Sequence, residues 1–141
     1  MKRFLEQDDV LYNKAAIIER CLRRMLEEYS YCPALDNYTH LDALLLNIER
    51  ACQAAIDMAM HIVARQHLGM PQNVAQAFDM LVDAGIVSKA LGQSLKGMVG
   101  FRNIAVHDYQ KLDQEILLFV VNKGYLDLIE FCRQLGIKIH C

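Results

Sequence analysis

The chain has 141 residues, 54% of them hydrophobic, and a net charge of −2. That length suits one domain, residues 1–141, with a sizeable core. The apolar fraction exceeds ordinary globular usage and predicts a homodimer that buries part of it, while the near-neutral charge excludes a global basic field. A polyanion would have to be held by a local patch, with Arg20, Arg23 and Arg24, or Lys96 and Lys111, as candidates.

In chain order, Lys2 and Arg3 are followed by Phe4 and Leu5 and then by Glu6, Asp8 and Asp9, so no apolar core of signal-peptide length forms. No later stretch reaches membrane-spanning length. A first helix is predicted from about Asp8 to Tyr29, with Val10, Ala16, Ile17, Cys21, Met25 and Leu26 on its apolar face and Pro33 closing it. A longer one starts at Asn37 or Thr39, either able to cap, and carries Leu41, Leu44, Leu45, Ile48, Cys52, Ala55, Ile56, Ala59 and Val63 toward the Gly69-Met70-Pro71 turn.

A third helix, about Asn73 to Ala84, turns Ala77, Phe78 and Leu81 inward and stops at Gly85. Ser88 caps a fourth. The last begins near Asp113, with Gln114 and Glu115 in its first turn, and runs through Ile116, Phe119, Val120, Leu126 and Phe131 toward Gly136. No hairpin, repeat or interdomain linker is evident. The expected fold is an all-α, up-and-down bundle of about five helices.

Several motifs fail on their own chemistry. Gly92 and Gly97 have P-loop spacing, but Met98 and Val99 follow where Lys and Ser or Thr are needed, and the segment is helical. His61 and His67 do not share a helix face and have no third ligand beside them, so neither a metal nor another cofactor is expected. The cysteines Cys21, Cys32, Cys52, Cys132 and Cys141 form no Cys-x-x-Cys pair and predict reduced thiols in the cytoplasm. Asp57 and His61, four residues apart, can hydrogen-bond to each other or form a wall of a site.

The fourth helix carries the densest chemistry. Leu91, Leu95 and Met98 step along one face, and the next step is Arg102, a guanidinium where a core residue is due. A charge in that position needs a partner or an anionic ligand. Asn103, His107, Asp108 and Tyr109 follow at once. These residue types can simply close a helix end, with Arg102 paired to Asp108 or Glu115. They can also cleave RNA without a metal: a fixed cation for phosphate, an imidazole that exchanges protons near neutral pH, and a ribose 2′-hydroxyl as nucleophile. On a continuous helix Arg102 and His107 point about 140° apart, so either the helix breaks near Val106 or two subunits complete each other's site.

The segment Phe101-Arg102-Asn103-Ile104-Ala105-Val106-His107-Asp108-Tyr109 resembles the signature of HEPN-domain ribonucleases, and its Arg, four residues, His, one residue, Tyr form resembles the HepT toxin branch. The similarity runs from about Asp8 to Leu135 and includes the Phe78 region, the Gly85-Ile86 turn and the Met98-Val99-Gly100 lead-in. The resemblance implies a HEPN-like homodimer whose two motifs line one cleft, acting as a metal-independent endoribonuclease toxin of a type II-like or type VII-like toxin–antitoxin module. His107 and Arg102 would be catalytic, Asn103 and Tyr109 would orient the substrate, and Asp57, His61 and Asp108 would support them. The implied partner is a cognate minimal nucleotidyltransferase antitoxin that AMPylates Tyr109. The alternative is a non-catalytic helical domain for nucleotide binding or protein interaction.

Overall fold

The structure is a computed structural model that describes the backbone of residues 8–107 and 114–141, and the side chains of 8–103 and 115–141. The described residues are all-helical. Helix α1 spans Asp9–Tyr31, and the Asp8 carboxylate caps it, accepting from the Val10 and Leu11 amides at 3.0 and 3.3 Å. Helix α2 spans Tyr38–Arg65 behind an Asn37 cap. The short connection makes the two an antiparallel hairpin, and polar contacts confirm the direction: Lys14 near the start of α1 meets Asp57 late in α2, and Glu28 near the end of α1 meets His40 early in α2.

The buried face of α1 is Leu11, Ala15, Ile18, Leu22 and Met25, whereas Val10 and Ala16 are exposed and Ile17 is only partly buried. Cys21 and Met25 are buried as the spacing predicts, but elsewhere the buried residue is one step away, because apolar residues on α1 come in doublets, such as Val10-Leu11, Ala15-Ala16 and Ile17-Ile18, and either member satisfies helical spacing. Helix α2 buries Leu44, Ile48, Cys52, Ala55, Met58, Ala59 and Ile62, of which Cys52 and Ala55 turn toward α3, α4 and the last helix.

Helix α3 spans Val74–Asp83, capped by Asn73, and packs Phe78 edge-on against Phe131 at a centroid distance of 5.9 Å. It ends at Gly85, whose φ of +73° suits glycine, with the Ile86 amide returning to the Leu81 carbonyl at 2.9 Å. Helix α4, Lys89–His107, opens on Ser88, whose Oγ accepts from the Leu91 amide at 3.2 Å. Gly92 allows α4 to lie close against α3: a Cβ there would run into a methyl of Val82. The glycine rejected as part of a phosphate loop is thus a helix-packing residue.

The last helix is continuous but uneven. Helix α5, Gln114–Phe119, passes through a π-helical turn at Val120–Gly124 into α6, Tyr125–Gln134. Its buried line is Leu117, Val120, Val121, Leu128, Phe131 and Cys132, while Ile116, Phe119 and Leu126, which the periodicity had turned inward, are exposed. Two apolar stripes compete on this helix, and the wider π turn seats Gly124 against α4, where a Cβ would lie 3.4 Å from the Met98 sulfur. Beyond α6 the chain folds back over α1, burying Ile137 and Ile139.

Gly92→Ala should destabilise by about 1–3 kcal/mol through overpacking against Val82. Gly97→Ala, with open space around it, should stabilise by about 0.5–1 kcal/mol through helix propensity. Thermal melts of the two variants check the contrast, and equal shifts would contradict the α3–α4 packing.

Candidate active site

Helix α4 brings the core to an end in a specific way. Leu91, Leu95, Met98 and Phe101 are all buried, so the aromatic ring of Phe101 fills the apolar position at that level and Arg102 sits half-buried beside it. Its Nε is buried and has no acceptor among the described residues. Nη1 donates to the side-chain oxygen of Asn103 at 3.4 Å, a long bond and the one hydrogen bond of this guanidinium to another described side chain. The Arg102 charge also reaches back to α2. Burial pushes the Cys52 thiol up to about 12, with Arg102 pulling against that rise and Glu49 adding to it.

Because α4 is helical through His107, the chain does not break at Val106. The backbone positions of residues 102 and 107 therefore lie about 140° apart around the helix axis. The side chain of His107, and Asp108 and Tyr109 entirely, lie outside the described residues, as does Lys111. Asn103 is exposed next to Arg102.

The expected Asp57–His61 contact is replaced by contacts with other partners. Asp57 takes an ion pair from Lys14 at 3.0 Å and a hydrogen bond from Gln53 at 2.9 Å. His61 turns to the Asp8 carboxylate at 2.7 Å, which Arg65 also reaches at 3.2 Å. Both residues thus clasp α2 to α1 and its cap. Periodicity sees only neighbours on the same helix, so it paired them with each other.

Asp8 is the residue that sequence reasoning undervalued. Its side chain is 1% exposed. Burial alone would raise its carboxyl, but hydrogen bonds from His61 and the Leu11 amide, together with the charges of His61 and Arg65, outweigh burial and hold it below its ordinary value of 3.8. The signal available in sequence was only an Asp before an apolar helix.

The basic candidates also sort themselves. Arg23 donates to the His140 carbonyl at 2.7 Å, Arg24 is bound by Glu27 and Glu28 at 2.8 and 2.9 Å, and Lys96 pairs with Asp79 at 2.9 Å. Arg20 keeps no hydrogen bond or ion pair with another described residue. Among the described residues no three His, Cys, Asp or Glu side chains gather as a metal-binding group, and no helix is long and apolar enough to cross a membrane.

Comparison with known proteins decides the family. The family described as Ribonuclease HepT-like matches residues 16–135, a span that contains the whole of the Arg102 to Tyr109 segment. The chain belongs to the HepT-like ribonuclease family. It is 39% identical over 125 residues to the mRNA nuclease HepT of Shewanella oneidensis, covering 88% of this chain and 94% of that one. A putative RNase of Archaeoglobus fulgidus is 26% identical over 94 residues, covering 67% and 70%. Among solved structures, a toxin–antitoxin complex with AMP-PNP superposes with a TM-score of 0.87 at 37% identity, over 92% of this chain and 98% of that one. The tri-AMPylated Shewanella oneidensis HEPN toxin in complex with MNT antitoxin superposes with the same score, identity and coverage. The five-helix bundle described here is the HEPN-type fold of these HepT-like relatives.

The Asp8 clasp has a pH signature. A carboxyl depressed on folding contributes stability that is present above its unfolded pKa and is lost as pH falls through the folded value. Asp8→Ala should therefore lower the melting temperature at pH 7, by an amount corresponding to about 1–3 kcal/mol for a lost cap and the lost partner of His61 and Arg65. The gap from the parent should narrow once pH drops below about 4, the ordinary Asp range. A gap independent of pH would show that the charge at Asp8 contributes nothing.

Proposed function

We propose that this chain is the toxin of a toxin–antitoxin pair, a metal-independent endoribonuclease of the HepT type silenced by a nucleotidyltransferase partner. The observation that carries the reading is the Arg102 guanidinium at the end of the core, half-buried and with its Nε lacking an acceptor among the described residues, within a chain 39% identical to an mRNA nuclease.

In this reading His107 removes the proton of a ribose 2′-hydroxyl, and that oxygen attacks the adjacent phosphorus. The bond from phosphorus to the 5′-oxygen breaks, and an imidazolium returns a proton to the leaving oxygen, giving a 2′,3′-cyclic phosphate and a free 5′-hydroxyl. Arg102 stabilises the charge that develops on the phosphoryl oxygens, Asn103 holds the phosphate, and Tyr109 stacks on a base or binds phosphate. Asp57 and His61 support the site from a distance through the hairpin, and Asp108 from beside His107.

The helix through His107 supports a homodimer with shared sites, since one straight helix aims Arg102 and His107 in different directions. Exposed Ile116 and Phe119 line an apolar cavity of about 320 Å³ with Met98 and Phe101 of the motif helix, a surface suited to a second copy. Regulation follows the AMPylated relative: an adenylyl group on Tyr109 would bring phosphate charge and a nucleobase to the Arg102 cation and displace RNA. Five unpaired thiols suit a reducing compartment, the cytoplasm.

Antitoxin-free protein should cut RNA in excess chelator, and His107→Ala or Arg102→Ala should lower the rate about a hundredfold to ten-thousandfold while leaving the circular dichroism spectrum intact. Activity that returns only with magnesium or manganese would overturn the mechanism. Mixing the two inactive variants should restore cleavage if subunits share sites, and restore nothing if each carries its own.

Co-expression with the cognate nucleotidyltransferase should add one or more AMP masses to the peptide containing Tyr109 and abolish cleavage, and Tyr109→Phe should block the addition. An inactive complex whose toxin shows its unmodified intact mass would assign the silencing to steric occlusion instead.

A further inference from the structure

The α1–α2 hairpin carries a second concave surface, away from the motif. A groove of about 570 Å³ runs between the helices, with Lys14, Arg20, Arg24 and Arg50 on its walls. Its one described carboxylate, Asp57, is already engaged by Lys14. Arg24 is engaged too, by Glu27 and Glu28. Arg20 and Arg50 differ: both are exposed, and neither makes a hydrogen bond or ion pair with another described residue. They line the same groove, Arg20 from α1 and Arg50 from α2, with Cys21 between the helices on its wall.

Two like charges lining one groove repel, and in a chain of net charge −2 they are not part of a general basic surface. An anion between them relieves the repulsion, and guanidinium forks match phosphate oxygens. A protein partner would call for aromatic or aliphatic anchors, yet the only exposed large apolar side chain on the groove is Leu46.

We propose that this groove is a second RNA site, in which Arg20 and Arg50 grip the phosphodiester backbone of a strand beyond the nucleotides being cut; the proposal rests on the ribonuclease reading above. The placement fits a separate subsite. Arg102 acts on Cys52, while Arg50 lies about 160° round α2 from Cys52, so the strand reaches the groove only by passing around the hairpin. Short RNAs would engage the motif alone, and longer ones would engage both.

The test compares the full chain with an Arg20→Ala/Arg50→Ala double variant, after circular dichroism and thermal melting establish that both are folded. Single-stranded oligoribonucleotides of about six and about 30 nucleotides, one below and one beyond a single local site, serve as probes. For the long probe, KM should rise on the order of tenfold with kcat unchanged, and the slope of log affinity against log salt should fall by about 1.4, the value for two released phosphate contacts on a single strand. The short probe should be cut as before. If the double variant melts early, each single variant should remove about half of that slope.

Unchanged KM and salt slope on the long probe would overturn the groove, as would equal losses on both probes. Unchanged RNA binding with weakened affinity for the nucleotidyltransferase would also overturn it, making the surface a protein dock. A parent protein that binds the long probe through these arginines but cuts no RNA would keep the groove and sink the ribonuclease reading.

Discussion

The bundle is organised around the antiparallel seam between α1 and α2, the longest two helices and the pair in most intimate contact. Small residues, Ala15 on α1 and Ala51 and Ala54 on α2, are fully or almost fully buried, and Leu11, Ile18, Leu22 and Met25 belong to one core with Leu44, Ile48 and Met58. Burial of this kind stabilises by roughly 1.5–3 kcal/mol for each large side chain, so the seam dominates the polar contacts along its edges. Those contacts have a different use. Lys14–Asp57, Glu28–His40 and Asp8–His61 pair one end of α1 with the opposite end of α2 and so set the register that nonspecific apolar packing leaves loose.

The other helices take their positions from that seam. Phe78 of α3 and Phe131 of α6 meet edge-on, and α4 is held between α3, α2 and the last helix by Gly92, Met98 and Gly124. The Arg102 to Tyr109 segment begins where this packing gives out. Phe101 is the last buried side chain described on α4, and Arg102 follows with its aliphatic stem against the core edge and its charged head partly outside. On the α1–α2 groove Arg24 is engaged by Glu27 and Glu28, whereas Arg20 and Arg50 pair with no other described residue.

The π turn at Val120–Gly124 shows how packing overrides local preference. A regular α-helix through this stretch is what propensity favours, since widening one turn weakens its hydrogen bonding. The wider turn instead keeps Val120, Val121 and Gly124 all buried and puts Gly124 against Met98, one helical turn before Arg102. The exposed stripe of Ile116 and Phe119 is left on the outside, next to the same end of α4.

Helix number and helix ends were legible in the chain itself. Asn37, Asn73 and Ser88 cap where they stand, and Gly85 and Gly136 end α3 and α6, because a cap is a hydrogen bond between residues two or three apart and a left-handed glycine is a property of one backbone position. The family was equally legible, since the resemblance carried by the Arg102 to Tyr109 segment rests on residue identity and spacing. What only the tertiary structure decided was direction. Which member of Val10-Leu11 or Ile17-Ile18 points inward, whether His61 meets Asp57 or Asp8, and which arginines remain free all depend on what another helix presents across the gap. Periodicity describes a helix by itself; a buried face and an ion pair are properties of two.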